Sequence, residues 1–154
     1  MPTYLAALLI GVLAGLRSLT PPAVVSWAAR LGWLHLESTR LAFLGAAVTP
    51  YILTALALAE LIADKLPKTP SRKTAGPFVT RIVTGALCGA AIGAAGQMLF
   101  AGLVLGALGG VAGTLGGYEI RTRLARAVGR DLPIALLGDA ITIAGAIWIA
   151  AARA

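Results

Sequence analysis

Long runs without charged residues dominate the chain, and polar residues cluster in short segments between them. The uncharged runs cover residues 1–16, 41–59, 82–118 and 132–152, and the last of them is interrupted only by Asp139. Apolar runs of this length are typical of helices that cross a membrane. The pattern therefore predicts an all-α protein, a polytopic membrane helical bundle that forms a single domain over residues 1–154.

The run at residues 82–118 is too long for one crossing. As a single helix it would extend about 55 Å, whereas the hydrocarbon core of a bilayer is about 30 Å thick. The polar pair Gly96-Gln97 predicts a turn within this run. The chain then has about five spans, which we place at residues 3–16, 41–63, 79–95, 98–113 and 132–152.

The first and fourth spans are short, and each is followed by a predicted break and a more polar helix. The first break lies at residues 17–22, where Pro21 and Pro22 remove two backbone donors. The second break is the glycine-rich segment 113–117, because glycine permits non-helical backbone. Gly32 and Gly129 are the predicted stops of the two polar helices.

This order of elements occurs twice, over half-repeats at residues 3–63 and 98–152. A linker loop at residues 65–78 and the span at residues 79–95 lie between the two halves. Three crossings separate the starts of the halves, so the halves are expected to run in opposite directions. The sequence thus predicts two broken helices in an inverted-topology repeat.

The charge balance supports a membrane protein and gives it an orientation. Only 12% of the residues are charged and the net charge is +7, whereas about 25% charged residues is usual in a soluble domain. Most basic residues fall after the second and fourth spans, so the positive-inside rule predicts a cytoplasmic N-terminus and an external C-terminus. No basic stripe carries interleaved aromatic residues, which excludes a nucleic-acid partner.

Several chemistries are excluded because the residues that they need occur once. Cys88 is the single cysteine and His35 the single histidine, so neither a disulfide framework nor a metal site is expected. The sequence shows no catalytic Ser/His/Asp set and no phosphate-binding loop. We therefore expect neither enzyme activity nor a cofactor.

Glycines recur at every fourth position in the third and fourth spans. This spacing places them on one helix face, where another helix can approach closely. Packing between these two spans is the favoured interpretation, and a glycine-lined path for a solute is the alternative. So much close-packing surface on a small chain also predicts a homodimer. The glycines of the two faces are Gly85, Gly89, Gly93, Gly102, Gly106 and Gly110.

Arg17 is the first charged residue of the chain and lies about 21 Å along the first span, counted from Thr3. Together with Ser18, Thr20 and the free amides of the following helix, it predicts a cradle for a carboxylate or phosphate. The alternative is that Arg17 reaches the membrane surface and that Ser18 or Thr20 caps the helix. Two aromatic residues, Tyr51 and Tyr118, are further candidates for this substrate site.

Three acidic residues are candidates for proton or ion coupling. Glu60 and Asp64 are four residues apart and share one helix face, and Asp139 lies inside the last span. A carboxyl group without a partner at that depth could carry a proton. The alternative is structural pairing, of Glu60 with Arg81 or Arg121 and of Asp139 with Arg17 or an arginine of the second polar helix.

Three arginines follow the fourth span at helical spacing and form a basic stripe. A basic stripe at the cytoplasmic surface predicts contact with anionic lipid headgroups. The three residues are Arg123, Arg126 and Arg130.

Three motifs carry a resemblance to a known family. Residues 15–23 read GLRSLTPPA, residues 60–72 read ELIADKLPKTPSR, and residues 138–140 read GDA. They resemble the bacterial membrane family known as domain of unknown function 4126. The resemblance implies an integral protein of the bacterial inner membrane, and it carries over no catalytic residue.

These observations predict a small transporter or channel for a small ion or an anionic solute. Arg17, Ser18 and Thr20 are expected to hold the anion, while Glu60 and Asp139 supply proton coupling or a counter-charge. One alternative is a protein that handles or flips a phospholipid or polyprenyl phosphate in the same cradle. The other is a membrane scaffold in which every charge is paired.

Overall fold

The computed structural model describes residues 2–34, 36, 41–63, 75–129 and 132–152, and over these residues the chain is helical and contains no strand. The prediction of an all-α chain is confirmed. Asp64, Arg130 and His35 lie outside the described residues. The elements are a 3₁₀ turn at Ala42–Gly45 and the helices α1 (Thr3–Leu16), α2 (Thr20–Arg30), α3 (Thr49–Ala63), α4 (Ala75–Ala95), α5 (Leu99–Val128) and α6 (Leu132–Ala151).

Helices α4 and α5 form a tight antiparallel hairpin because glycine faces glycine along both of them. A Cβ atom at Gly106 would overlap the carbonyl oxygen of Gly85, and one at Gly102 would overlap that of Gly89. The predicted turn between the helices is also confirmed: Gln97 lies in the left-handed region with φ 61°. The glycine spacing is thus explained by close backbone packing, as the favoured interpretation predicted.

Helix α1 packs against α5 and runs in the same direction. A Cβ atom at Gly109 would overlap the carbonyl oxygen of Leu8, and one at Gly113 would overlap that of Val12. Residue numbers therefore rise together along both helices. An inverted repeat needs the first helices of the two halves to run in opposite directions, so that prediction is wrong.

The second predicted break is also wrong, because α5 continues from Leu99 to Val128 without interruption. Gly113 and its neighbours were interpreted as a point where the helix unwinds. In the structure Gly113 lies against the backbone of α1, where a side chain would not fit. The glycines of this segment thus serve close packing within a continuous helix.

The predicted span at residues 41–63 is a shorter helix than expected. The 3₁₀ turn at Ala42–Gly45 precedes it, and α3 begins only at Thr49. Pro50 is the second residue of α3, where a missing backbone N–H leaves no helical hydrogen bond unmade. Pro50 therefore starts α3 and does not kink a longer helix.

The start of α1 and the end of α6 lie at the same end of the bundle. Thr3 contacts the α4–α5 turn, since a Cβ atom at Gly96 would lie 2.8 Å from the Thr3 hydroxyl oxygen. Helix α6 runs antiparallel to α1, because Asp139 pairs with Arg17 and a Cβ atom at Gly145 would lie 3.1 Å from the side chain of Leu13. The prediction that the termini lie on opposite faces is wrong.

Two of the described helices are long and apolar enough to cross a membrane. They are α5 and the part of α4 at Phe78–Ala95. Helix α1 and the segment Leu136–Ala151 of α6 are apolar but shorter. This pattern is consistent with membrane association.

Candidate functional site

The break between α1 and α2 is the centre of the site. Arg17 directly follows α1 and caps its C-terminal end. Its backbone is extended, at φ −141° and ψ 116°, and its N–H donates to the carbonyl oxygen of Leu13. Helix α2 starts at Thr20, followed at once by Pro21 and Pro22. Proline fits the first helical turn because it needs no N–H partner there. A break therefore occurs where the first one was predicted, but it covers residues 17–19 and not 17–22, because Pro21 and Pro22 lie in the first turn of α2.

The side chain of Arg17 forms a buried ion pair with Asp139 on α6. Arg17 is 1% exposed and Asp139 is 8% exposed. Nε of Arg17 donates to Oδ1 of Asp139 at 2.5 Å, and Nη2 contacts the same oxygen. The structure thus shows the pairing of Arg17 with Asp139 that the sequence left as one of two alternatives.

The carboxylate of Glu60 lies at the start of α2. Oε1 accepts the N–H of Leu19 at 3.0 Å, and Oε2 accepts the N–H of Ser18 at 3.0 Å together with the Ser18 hydroxyl. Free amides and the helix dipole make a helix N-terminus a favourable place for negative charge. Of the donors predicted to hold an external anion, Ser18 and the amides before α2 contact a carboxylate of the protein itself, whereas Arg17 pairs with Asp139.

Further contacts fix Glu60 in place by holding α3 antiparallel to α2. Nε1 of Trp27 donates to the hydroxyl of Thr54 at 2.8 Å, about two turns along α2 from Ser18. The hydroxyl of Ser26 donates to the carbonyl oxygen of Leu44 in the 3₁₀ turn. Helix α3 therefore presents Glu60 to the amides of Ser18 and Leu19.

Arg81 on α4 brings a second buried cation to the break. It is buried, and its Nη1 donates to the carbonyl oxygen of Gly15 at 3.1 Å, at the C-terminal end of α1. A cation is favourable at this end of a helix. The hydroxyl of Thr114 on α5 donates to Gly110 at 2.7 Å and lies 3.5 Å from the same oxygen of Gly15.

Sequence reasoning treated Arg81 only as a possible partner of Glu60 and missed its place in the site. The missed signal was its position inside the predicted span at residues 79–95. An arginine inside an apolar span is a candidate functional residue by default. Thr114 was missed because it was assigned to a break that does not exist.

Among the residues that the structure describes, the charges at the break balance. Two guanidinium groups and two carboxylates meet at residues 15–19. The guanidinium groups belong to Arg17 and Arg81, and the carboxylates belong to Asp139 and Glu60. Their formal charges sum to zero. The hydroxyl of Thr20 is buried beside them and has no hydrogen-bond partner within the part of the chain that the structure describes. The site therefore combines balanced charge with unused hydrogen-bonding capacity.

Other predicted residues lie elsewhere. Tyr51 is largely exposed and lies about 13 Å along α3 from Glu60. Its ring packs edge-on against the ring of Trp27, with 5.1 Å between the ring centroids. Tyr118 is half-buried on α5. Arg123 and Arg126 are exposed near the end of α5, where Nε of Arg123 lies 3.8 Å from Oε2 of Glu119.

Comparison with known proteins identifies the chain at the level of a family. The sequence matches the family described as Domain of unknown function (DUF4126) over residues 4–152. No curated protein and no solved structure matches the chain.

Proposed function

The chain belongs to the DUF4126 family, and we propose that it is a small polytopic membrane protein that transports a small monovalent anion together with a proton. The charged site at the break between α1 and α2 is the proposed binding site. The anion would be bound by Arg17, Ser18 and the amides at the start of α2. Glu60 and Asp139 would carry the coupled proton.

One observation carries this proposal: two carboxylates of the chain occupy the positions that a free anion would take. Glu60 accepts from two backbone amides and a hydroxyl, and Asp139 accepts from a buried guanidinium. The proposal is that the same donors would also bind a carboxylate that is not attached to the chain. A free anion of similar size would compete for the same donors.

The balance of charge suggests how a proton and an anion would be coupled. A proton on Glu60 or Asp139 would leave the site with one excess positive charge. Desolvated excess charge is unfavourable inside a protein, so an incoming anion of charge −1 would restore the balance. Release of the proton and the anion would let the carboxylate of Glu60 or Asp139 bind its hydrogen-bond donors again. The transport step is then electroneutral, with one proton for each anion.

The depth of the site favours a function over a purely structural role. Thr3 lies beside the α4–α5 turn, and Arg17 follows it by about 21 Å of helix. With the α4–α5 turn at one face of a bilayer about 30 Å thick, Arg17 would lie inside the hydrocarbon slab. Ionisable residues at such depth are costly and commonly line transport paths.

The contacts change the orientation that we propose for the chain in an inner membrane. Arg81 in the second turn of α4, and Arg123 and Arg126 near the end of α5, lie toward the end of the bundle away from Thr3, because α4 runs from that end to the α4–α5 turn. The positive-inside rule places the basic end in the cytoplasm. The N-terminus would then be external, in contrast to the orientation that loop charge alone predicted.

Transport can be tested with the purified chain in liposomes that contain a pH-sensitive dye. We choose glycolate as the probe because both occupants of the site are carboxylates. An inward glycolate gradient should drive proton entry at a rate that a membrane potential does not change. Asp139→Asn and Glu60→Gln should lower this rate at least ten-fold. The exposed residues Arg30 and Glu119 provide matched controls, and Arg30→Gln and Glu119→Gln should retain the rate.

A scaffold is the second candidate, because Arg17 and Asp139 satisfy each other's charge. Folded wild-type protein that moves no proton with glycolate, chloride or phosphate would favour the scaffold over the transporter. Movement of a labelled phospholipid between leaflets, lost in Arg17→Gln, would favour the lipid-handling alternative. The homodimer stays a prediction.

A further inference from the structure

The last part of α5 extends beyond α1 and α4, the two helices that pack most extensively against it. A Cβ atom at Gly15, near the end of α1, would lie 2.5 Å from the backbone nitrogen of Thr114. A Cβ atom at Gly110 would lie 2.9 Å from the carbonyl oxygen of Arg81, and α4 begins about 9 Å before Arg81. Both neighbours therefore end near residue 117 of α5. The remaining segment, residues 118–128, extends a further 15 Å or so and is here called the α5 arm.

The α5 arm is amphipathic and most of it is exposed. Ile120, Leu124 and Val128 are exposed at a spacing of four residues, which places them in one row along the helix. Arg123 and Arg126 are exposed as well, and the 100° turn per residue places them on an adjacent face. Glu119 shares this face, with its Oε2 3.8 Å from Nε of Arg123, so the face carries two arginines and one acid. An apolar row and a basic row thus lie side by side along the arm.

A helical segment of this kind is not expected to stand alone in water. The arm continues α5, so its helix needs no separate nucleation, but its exposed apolar row would remain unburied in water. An amphipathic helix with arginine on its polar face is stabilised when it lies at a bilayer surface. There the apolar row meets acyl chains, and the guanidinium groups bind phosphate oxygens.

Charge argues against other occupants of the arm. The connector at residues 64–74 carries Lys65, Lys68, Arg72 and Lys73 against the single acid Asp64, so it would repel the arginines of the arm. A second copy of the arm would repel them in the same way. A nucleic acid would match the arginines but would leave Ile120, Leu124 and Val128 exposed to water.

We propose that the α5 arm is a binding site for anionic phospholipid headgroups at the bilayer surface, with Arg123 and Arg126 holding the phosphates. This inference rests on the proposed membrane embedding of α5 and does not depend on anion transport. The arm lies at the end of the bundle away from Thr3, where α4 begins. It would therefore bind lipids of the leaflet that faces the cytoplasm in the proposed orientation.

Lipid binding can be measured on the intact chain in detergent micelles by native mass spectrometry. Phosphatidylglycerol and phosphatidylcholine are the two probes, because they differ in headgroup charge. We expect wild-type protein to bind phosphatidylglycerol more tightly. Arg123→Gln with Arg126→Gln should weaken that binding by about five-fold for each arginine, the factor that corresponds to about 1 kcal/mol per basic residue. Arg30→Gln, at an exposed arginine on α2, should bind as the wild type does.

Two results would overturn the proposal. One is equal affinity of the wild-type chain for the two lipids, and the other is unchanged phosphatidylglycerol binding in the double variant. A short RNA that binds wild-type protein and displaces phosphatidylglycerol would also overturn it. Because the arginine variants keep the charged site between Gly15 and Leu19, their glycolate-driven proton entry in phosphatidylcholine liposomes should be unchanged. Failure of transport and failure of lipid binding are thus separate outcomes.

Discussion

Arg17 and Asp139 are kept as an ion pair in the interior of an apolar protein. Removing two charges from water costs several kcal/mol for each ion, and a close partner offsets that cost. The pair therefore contributes little net stability, whereas either charge without its partner is strongly unfavourable. This asymmetry makes the pair a sensitive place to test how the site is held together.

Asp139→Asn should lower the free energy of unfolding by about 3–5 kcal/mol, because Arg17 would remain buried without its partner. Replacing both residues, with Arg17→Met and Asp139→Leu, should restore most of that loss. Thermal unfolding in one detergent measures both variants, and the single variant should unfold about 10 °C lower. A double variant as unstable as Asp139→Asn would show that Arg17 has another role in stability.

At the scale of residues, the sequence predicted the hydrogen-bond donors of the site better than it predicted the residues that bind to them. The donors at the start of α2 follow from local features, namely Ser18 and the two prolines, and these can be read directly from the chain. The occupant could not be read in this way, because Glu60 reaches Ser18 only through the packing of α3 on α2. The chain predicted a cradle for an anion but could not specify which anion occupies it.

At the scale of elements, glycine is the residue that the sequence left ambiguous. The same absence of a Cβ atom permits a helix to unwind and permits another helix to approach. The spacing of four along Gly85, Gly89 and Gly93 correctly predicted close approach. The denser run at residues 113–117 was interpreted as unwinding, although Gly113 lies against the backbone of α1. Only the position of α1 separates these two roles.

Two glycines on α5 provide a matched test of this distinction. Gly106→Ala should destabilise the protein by about 2–3 kcal/mol, since the new methyl group would overlap the carbonyl oxygen of Gly85. Gly116→Ala should stabilise it by about 0.5–1 kcal/mol, because nothing lies within 4 Å of the new methyl group and alanine favours helix. Thermal unfolding of both variants measures the difference. A loss of stability in Gly116→Ala would contradict a continuous α5.

At the scale of the whole molecule, the directions of the helices depend on contacts that hydropathy does not encode. Hydropathy located α1, α4 and α6 to within a few residues. It predicted five spans, an odd number of crossings, and so placed the termini on opposite faces. The contacts of Arg17 with Asp139 and of Leu13 with Gly145 show instead that α1 and α6 pack side by side in opposite directions.

The proposed orientation predicts which positions a membrane-impermeant maleimide can label. In a Cys88→Ala background, single cysteines at Pro2, Met98 and Ala152 should all react from one side of sealed vesicles, because these exposed positions share one end of the bundle. Val128→Cys, at the end of the α5 arm, should react only from the other side. Lysis of the vesicles before labelling is the control, since all four cysteines should then react. Labelling of Pro2→Cys and Val128→Cys from the same side would contradict a membrane-spanning α1 and α5. These helices run in parallel, so Pro2 before the start of α1 and Val128 at the end of α5 lie at opposite ends of the bundle.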